Sequence, residues 1–261
     1  MAPPVDDLLS GLRRDPSSTG IFTDFDGTLS PIVADPAMAV PVRGAAEMLG
    51  ELAESYAVVA VISGRPVSFL AAHLPPLVLA VGLYGLEVRR EGVISVDPEA
   101  ERWRSVVADA ATRSEAASLP GMTVEPKGLS LTLHYRAAPD LEARVNALAS
   151  EVAAETGLDV RPARRSVELH PPVEADKGTA LRALAPGLGA VCYLGDDRGD
   201  LPAFRALDEL AADGMATVKV AVRSDEAPTE LLTAADLTVE DPADATRLLR
   251  TLLPSAVPGV V

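Results

Sequence analysis

Apolar residues fall along this chain in short runs separated by stretches of helical period. Ile21–Asp24 is a brief β-type run, Ala57–Ile62 is apolar throughout, and Leu77–Val81 is apolar again. Between them Gly44–Ser55 has helical spacing, and Pro66 opens a second helix. Strands that read as unbroken apolar runs are covered on both faces, which is the condition of a parallel sheet with crossover helices. The same order returns late in the chain. Lys177–Ala185 reads as a helix stopped by Pro186-Gly187, followed by strand Ala190–Leu194 and helix Leu201–Leu207. Strand Thr217–Val222, helix Glu226–Ala234 and strand Leu237–Val239 complete the series. Residues up to about Ser18 read as a short helix and a loose lead-in.

The middle of the chain, Asp97 to Pro172, follows a different pattern. Trp103, Val106, Val107 and Ala110 form one helical stripe, and Leu141, Val145, Leu148 and Val152 another. Leu129–Arg136 alternates, with Ser130, Thr132, His134 and Arg136 opposite Leu129, Leu131, Leu133 and Tyr135. Arg164, Ser166, Glu168 and His170 alternate likewise with Arg165, Val167 and Leu169. Strands apolar on one face, interleaved with two helices, predict a small α+β domain with an antiparallel sheet. Its position makes it an insertion into the parallel-sheet domain. The expected division is a lead-in over 1–17, a first core part over 18–97, the inserted domain over 98–172 and a second core part over 173–261.

Composition narrows the possibilities. No apolar run approaches the roughly 18 residues that span a bilayer, and Met1–Ser10 has Asp6 and Asp7 but no basic residue, so no leader is read there. A cytoplasmic protein is expected. The net charge of −15 disfavours nucleic acid and anionic membrane as partners, since both need clustered positive charge. The single cysteine, Cys192, lies in an apolar run and is expected to be a buried, inert thiol. The chain has 3 lysines beside 20 arginines. Where arginine serves for most positive charge, a retained lysine hints at a need for a compact ammonium.

Four segments have the residue types of phosphate chemistry. Asp24-Phe25-Asp26-Gly27-Thr28 follows the first strand, and side chains two apart share a face, so both carboxylates point one way. One can attack phosphorus and bind a metal, and the other can serve the leaving oxygen as acid; alone, the same residues also describe an Asp/Gly-rich turn. Ser63-Gly64-Arg65-Pro66 follows the second strand, where a hydroxyl and helix-terminal amides can hold a phosphate oxygen, or Ser63 can simply cap a helix. Lys177-Gly178 starts a helix, a position where a cation opposes the macrodipole unless it balances an anion. Gly195-Asp196-Asp197-Arg198-Gly199-Asp200 gathers three carboxylates at one strand end, which repel one another unless a cation sits there.

Taken together, and in this order, the segments resemble the four signatures of the haloacid dehalogenase superfamily of phosphatases. Within it, the chain resembles the trehalose-phosphatase family. That likeness rests on Ser63-Gly64-Arg65, Gly82-Leu83-Tyr84-Gly85-Leu86-Glu87, the stretch Glu125 to Arg136, Glu168 with its following prolines, Lys177-Gly178, and Gly195-Asp196-Asp197 through Phe204. Three positions depart from the family pattern. Gly199-Asp200-Leu201-Pro202 stands where two further acidic residues are usual, Tyr84 where His is frequent, and Leu169-His170 where an Arg is common.

The resemblance implies a Rossmann-like parallel-sheet α/β core of haloacid dehalogenase type with an inserted α+β cap. It implies magnesium-dependent hydrolysis of trehalose 6-phosphate through an aspartyl phosphate, the last step of trehalose synthesis. Asp24 would be the nucleophile and Asp26 the acid and base. Asp24, the Asp26 carbonyl and Asp196 would bind Mg2+, with Asp197 and Asp200 orienting Lys177 and the metal's surroundings. Ser63, Gly64 and Lys177 would hold phosphate; Arg65, Glu125, Lys127, Arg136 and Glu168 would hold the sugar. A monomer acting on a sugar phosphate is expected. The alternatives are a phosphatase for sucrose phosphate or mannosylphosphoglycerate, or a phospho-accepting regulatory module without turnover.

Overall fold

The computed structural model describes residues 5–254 except 34, 118, 164, 225 and 226. The expectations placed on Arg164 and on a helix start at Glu226 therefore lie outside the described residues. The chain divides into two compact units, one running up to Ile94 and resuming at Asp176, the other Ser95–Ala175.

The first unit is built on strands β1 (Thr19–Thr23), β2 (Val58–Ile62), β3 (Leu79–Gly82), β4 (Glu87–Arg90), β5 (Val93–Val96), β10 (Ala190–Gly195), β11 (Ala216–Val222) and β12 (Leu237–Val239). Their order is β12-β11-β10-β1-β2-β3-β4-β5. Every pairing from β12 to β3 is parallel, and β4 joins antiparallel to β3. Period-two alternation sends Ile21, Val59, Val61 and Cys192 to one face and Phe22, Ala60, Ile62, Val191 and Tyr193 to the other. Helices α1 (Val5–Arg14), α2 (Ala45–Ala53), α3 (Val67–His73) and α10 (Pro242–Arg250) bury residues of the first cluster. Helices α7 (Lys177–Leu184), α8 (Leu201–Ala212) and α9 (Thr229–Ala234) bury residues of the second. With both faces covered, the central strands can be apolar throughout. Each fully buried side chain such as Phe22 or Leu194 contributes about 1.5–3 kcal/mol. Cys192 is buried, which pushes its thiol pKa up and keeps it unreactive.

The chain steps from β1 outward to β2 and β3 on one side and from β10 outward to β11 and β12 on the other. The reversal between β1 and β10 is a topological switch point, where a crevice opens beyond the carboxyl ends of the strands.

The second unit holds α4 (Pro98–Glu101), α5 (Arg104–Ala116), β6 (Thr123–Pro126), β7 (Leu131–His134), α6 (Glu142–Thr156), β8 (Asp159–Ala163) and β9 (Ser166–His170). Its sheet runs β6-β7-β9-β8, antiparallel throughout. Leu131, Leu133, Val167 and Leu169 pack on Val107, Ala110, Val145 and Val152 of α5 and α6, the two stripes read from the sequence. The opposite face holds a row of polar residues in register across all four strands, Glu125–Thr132–Glu168–Arg161. No helix among the described residues is long and apolar enough to cross a membrane.

Candidate active site

The crevice between β1 and β10 is where Asp24 and Asp196 leave the sheet. The register pairs Thr23 with Leu194, and the Asp24 amide donates to the Leu194 carbonyl at 2.9 Å. Both carboxylates are buried. Gly27 (φ +84) turns the intervening loop, and a Cβ on it would lie 2.0 Å from Asp196 Oδ2, so this glycine is required for its φ and for the close approach. Thr28 Oγ1 donates to Asp196 Oδ1 at 3.2 Å.

Lys177 opens α7, where Asp176 and Thr179 form a capping box. Its ammonium lies 3.0 Å from Asp24 Oδ1 and 2.6 Å from Asp200 Oδ1. Burial alone would lower the lysine pKa, but Asp200 and Asp24 overcome that and raise it well above its ordinary value. Asp200 is itself saturated. Besides Lys177 it accepts from the Tyr193 hydroxyl at 2.7 Å, the Asp196 amide at 2.8 Å and the Asp197 amide at 3.0 Å. Asp197 caps the turn after it by accepting from the Gly199 amide at 2.8 Å.

These carboxylates are short of positive charge. Burial pushes the Asp24 pKa well up, with only Lys177 pulling it down. Burial, then repulsion from Asp24, does the same at Asp196, and burial raises Asp197. Asp24, Asp196 and Asp200 each offer a carboxylate oxygen within 4.8 Å of the others. Asp196 Oδ2 is buried without a hydrogen-bond partner. An orphaned anionic oxygen beside a second carboxylate, with no nitrogen or sulfur donor in the cluster, fits a hard divalent cation. Asp24 and Asp196 have capacity to bind it; Asp200 has spent its lone pairs on four donors.

Asp26 and Arg65 meet. Arg65 Nε donates to Asp26 Oδ2 at 2.7 Å and Arg65 Nη2 to Oδ1 at 2.8 Å. Ser63, buried at the end of β2, accepts on Oγ from the Arg65 amide at 3.2 Å. Its own proton then remains to be donated. The Gly64 backbone is approached closely, since a Cβ there would lie 2.5 Å from the Tyr84 hydroxyl oxygen. Leu83 (φ 49) and Tyr84 (φ 61) both take the left-handed conformation that side chains disfavour. Their amides tie this turn to the Ser63–Arg65 loop, Leu83 to the Arg65 carbonyl and Tyr84 to the Ser63 carbonyl, each at 3.0 Å. Pro66 caps α3 and is not its first residue, and the Val67 amide is taken by Glu87 Oε2 at 2.9 Å. At the start of α3 the Val67 amide thus already has its acceptor.

Glu125, Lys127, Arg136 and Glu168 belong to the second unit. Glu125 bonds His134 Nε2 at 2.7 Å, and Glu168, buried, accepts from Ser130 Oγ at 2.6 Å with the Lys127 ammonium 3.7 Å away. Arg136 follows β7 and is half-buried.

Sequence reasoning missed Tyr193, whose hydroxyl reaches Asp200 from inside an apolar strand, and the Glu87 cap. Tyr193 gave no signal, because its neighbours are all core. Thr28 was legible in the first motif.

A model of the trehalose-phosphatase family matches residues 22–242. The chain is 34% identical over 237 residues to the trehalose-phosphate phosphatase of Mycobacterium avium, covering 86% of this chain and 59% of that protein, so it spans less than two thirds of that relative's length. The C-terminal domain of C. albicans trehalose-6-phosphate phosphatase shares the fold, with a TM-score of 0.76 at 24% identity over 97% of each chain. The Aspergillus fumigatus trehalose-6-phosphate phosphatase superposes with a TM-score of 0.62 at 26% identity, covering 96% of this chain and 97% of that one. With a family model matched from the first core strand to the last helix, and the acidic crevice that its sheet topology creates, this chain belongs to the trehalose-phosphatase family.

Proposed function

We propose that the protein hydrolyses trehalose 6-phosphate to trehalose and phosphate, with Asp24 as the nucleophile. The observation that supports this best is the Lys177 ammonium 3.0 Å from Asp24 Oδ1, beside a second buried carboxylate, Asp196, that has an unpartnered oxygen. Mg2+ would be held by Asp24, the Asp26 carbonyl and Asp196. When bound, it supplies the positive charge that offsets repulsion between the attacking carboxylate and the phosphate dianion.

The chain's own groups perform the rest. Lys177 keeps Asp24 oriented and stays charged throughout. The Ser63 hydroxyl donates a hydrogen bond to a phosphate oxygen. An Asp24 oxygen forms a bond to phosphorus as the bond from phosphorus to the sugar oxygen breaks, and Asp26 gives that oxygen a proton. Sugar alkoxide is a poor leaving group, so the proton is needed. Asp26, now a carboxylate, takes a proton from the water whose oxygen attacks the aspartyl phosphate. Asp24 is regenerated and phosphate leaves.

Glu125, Lys127, Arg136 and Glu168 would hold sugar hydroxyls. A site built to hydrogen-bond hydroxyls rejects analogues because unmatched buried groups are costly. The test is phosphate release from trehalose 6-phosphate, sucrose 6-phosphate, mannosylphosphoglycerate and glucose 6-phosphate, with and without chelator. Turnover fastest on trehalose 6-phosphate, lost with chelator and lost in Asp24→Asn, is the expected result. A preference for another sugar phosphate would reassign the substrate, and no release from any would leave a phospho-accepting or regulatory role.

A further inference from the structure

We propose that Arg65 is a positioning residue for Asp26, fixing the carboxylate that passes the proton, and not a contact to the sugar. This rests on the phosphatase reading above and adds the group that aims its acid and base. Three observations carry it. The guanidinium fork is committed to Asp26 through two bonds of 2.7 and 2.8 Å. Its Cζ lies over the Phe69 ring, 4.4 Å from the centroid. Phe69 in turn meets Phe25 edge to face at 5.5 Å, and Phe25 is the residue between Asp24 and Asp26.

The contacts therefore close a ring, Phe25–Phe69–Arg65–Asp26, that returns to its starting point through one peptide bond. Each member limits the next. Asp26 cannot rotate without breaking a bidentate pair, and Arg65 cannot swing without leaving an aromatic face that holds cations. The Arg65 side chain is only 11% exposed. Its backbone is pinned as well, by Ser63 Oγ at the amide and Leu83 at the carbonyl. Each oxygen of a carboxylate has a second lone-pair position beyond the one the fork occupies, and the travelling proton sits there. An arginine used this way spends its planar geometry, which lysine lacks.

The experiment compares Arg65→Met, Arg65→Lys and Phe69→Leu with the parent in rapid-quench kinetics, using trehalose 6-phosphate and p-nitrophenyl phosphate with magnesium. The nitrophenolate leaves without a proton, so its first-turnover burst bypasses Asp26 as acid, while hydrolysis of the aspartyl phosphate does not bypass Asp26 as base. We expect Arg65→Met to slow sugar release by about tenfold or more with KM within about twofold. The p-nitrophenol burst should stay within about threefold while its steady-state turnover falls. Lysine should fail to rescue, and Phe69→Leu should move the same quantities in the same direction by about two- to fivefold. If Arg65→Met does not fold, Phe69→Leu decides by itself. A rise in KM for the disaccharide with kcat unchanged would make Arg65 a sugar contact and overturn the assignment. So would a p-nitrophenol burst that falls in step with sugar release, which would place Arg65 on the phosphate. A parent enzyme inert on both compounds removes the phosphatase reading, and this assignment with it.

Discussion

Asp200 gathers four donors in the core of the first unit: the Lys177 ammonium, the Tyr193 hydroxyl, and the amides of Asp196 and Asp197. Exchanging it for asparagine turns an NH2 group toward one of two donor pairs, either Lys177 with Tyr193 or the Asp196 and Asp197 amides. It also relieves repulsion with Asp24, but that is one gain against two lost acceptances and two donors left facing an NH2 group. We expect Asp200→Asn to cost about 3–5 kcal/mol, lowering Tm by at least about 6 °C in chelated protein; a loss under 1 kcal/mol would show that repulsion dominates. The reverse case is Thr132, whose buried hydroxyl has no partner among the described residues. Thr132→Val keeps the shape and removes the unmet group, so a gain of about 1 kcal/mol is expected by thermal melting. The sequence exposed the acidic residues because carboxylates at the ends of apolar strands need a reason. It could not show Tyr193, where one hydroxyl turns an apparent core residue into part of the site. Nor could it tell which anion Arg65 serves, since guanidinium forks fit carboxylate and phosphate alike.

At the scale of elements, the central strands and the helices between them were legible because burial imposes apolar runs and helical stripes. Strands β4, β5, β6 and β8 went unread; β5, β6 and β8 are each an edge of their sheet, while β4, between β3 and β5, is a short run with only Val88 apolar. Val93 is 71% and Ile94 54% exposed, and β8 holds Asp159, Arg161 and Pro162, so burial leaves no pattern to find there. The start of α3 was legible to within one residue from Pro66, but the group that caps it was not. Its cap comes from Glu87 on β4, twenty residues downstream, whereas sequence signals for helix starts are local. Glu87→Ala should cost about 1 kcal/mol, read as a lower urea midpoint with an unchanged m-value. Glu87→Gln, which keeps the acceptor and loses the charge, should cost less than half of that; equal losses would mean the carboxylate matters through charge and not through the Val67 amide.

For the molecule as a whole, the formal charge is −15, and several of its carboxylates lie buried around a single lysine. Burial raises the pKa values of Asp24, Asp196 and Asp197. An acid whose pKa is higher folded than unfolded binds more protons in the folded state between those two values, so stability falls as pH rises above about 4. Lys177, also raised, acts in the same sense, its stabilisation being lost as pH rises, but only above the ordinary lysine range and so outside this window. The metal-free protein should therefore be less stable at pH 8 than at pH 5.5. A divalent cation in the crevice supplies the charge that the carboxylates lack, and it competes with protons for the same oxygens. Magnesium at about 100 times its dissociation constant stabilises by about 2.7 kcal/mol, or roughly 5–10 °C in Tm for a chain of this size. That shift should be large at pH 8, small at pH 5.5, and absent in Asp196→Asn. Because each comparison is made with and without metal at one pH, the general repulsion of an acidic surface cancels. Equal shifts at both pH values, or a full shift in Asp196→Asn, would mean that magnesium binds somewhere other than between β1 and β10.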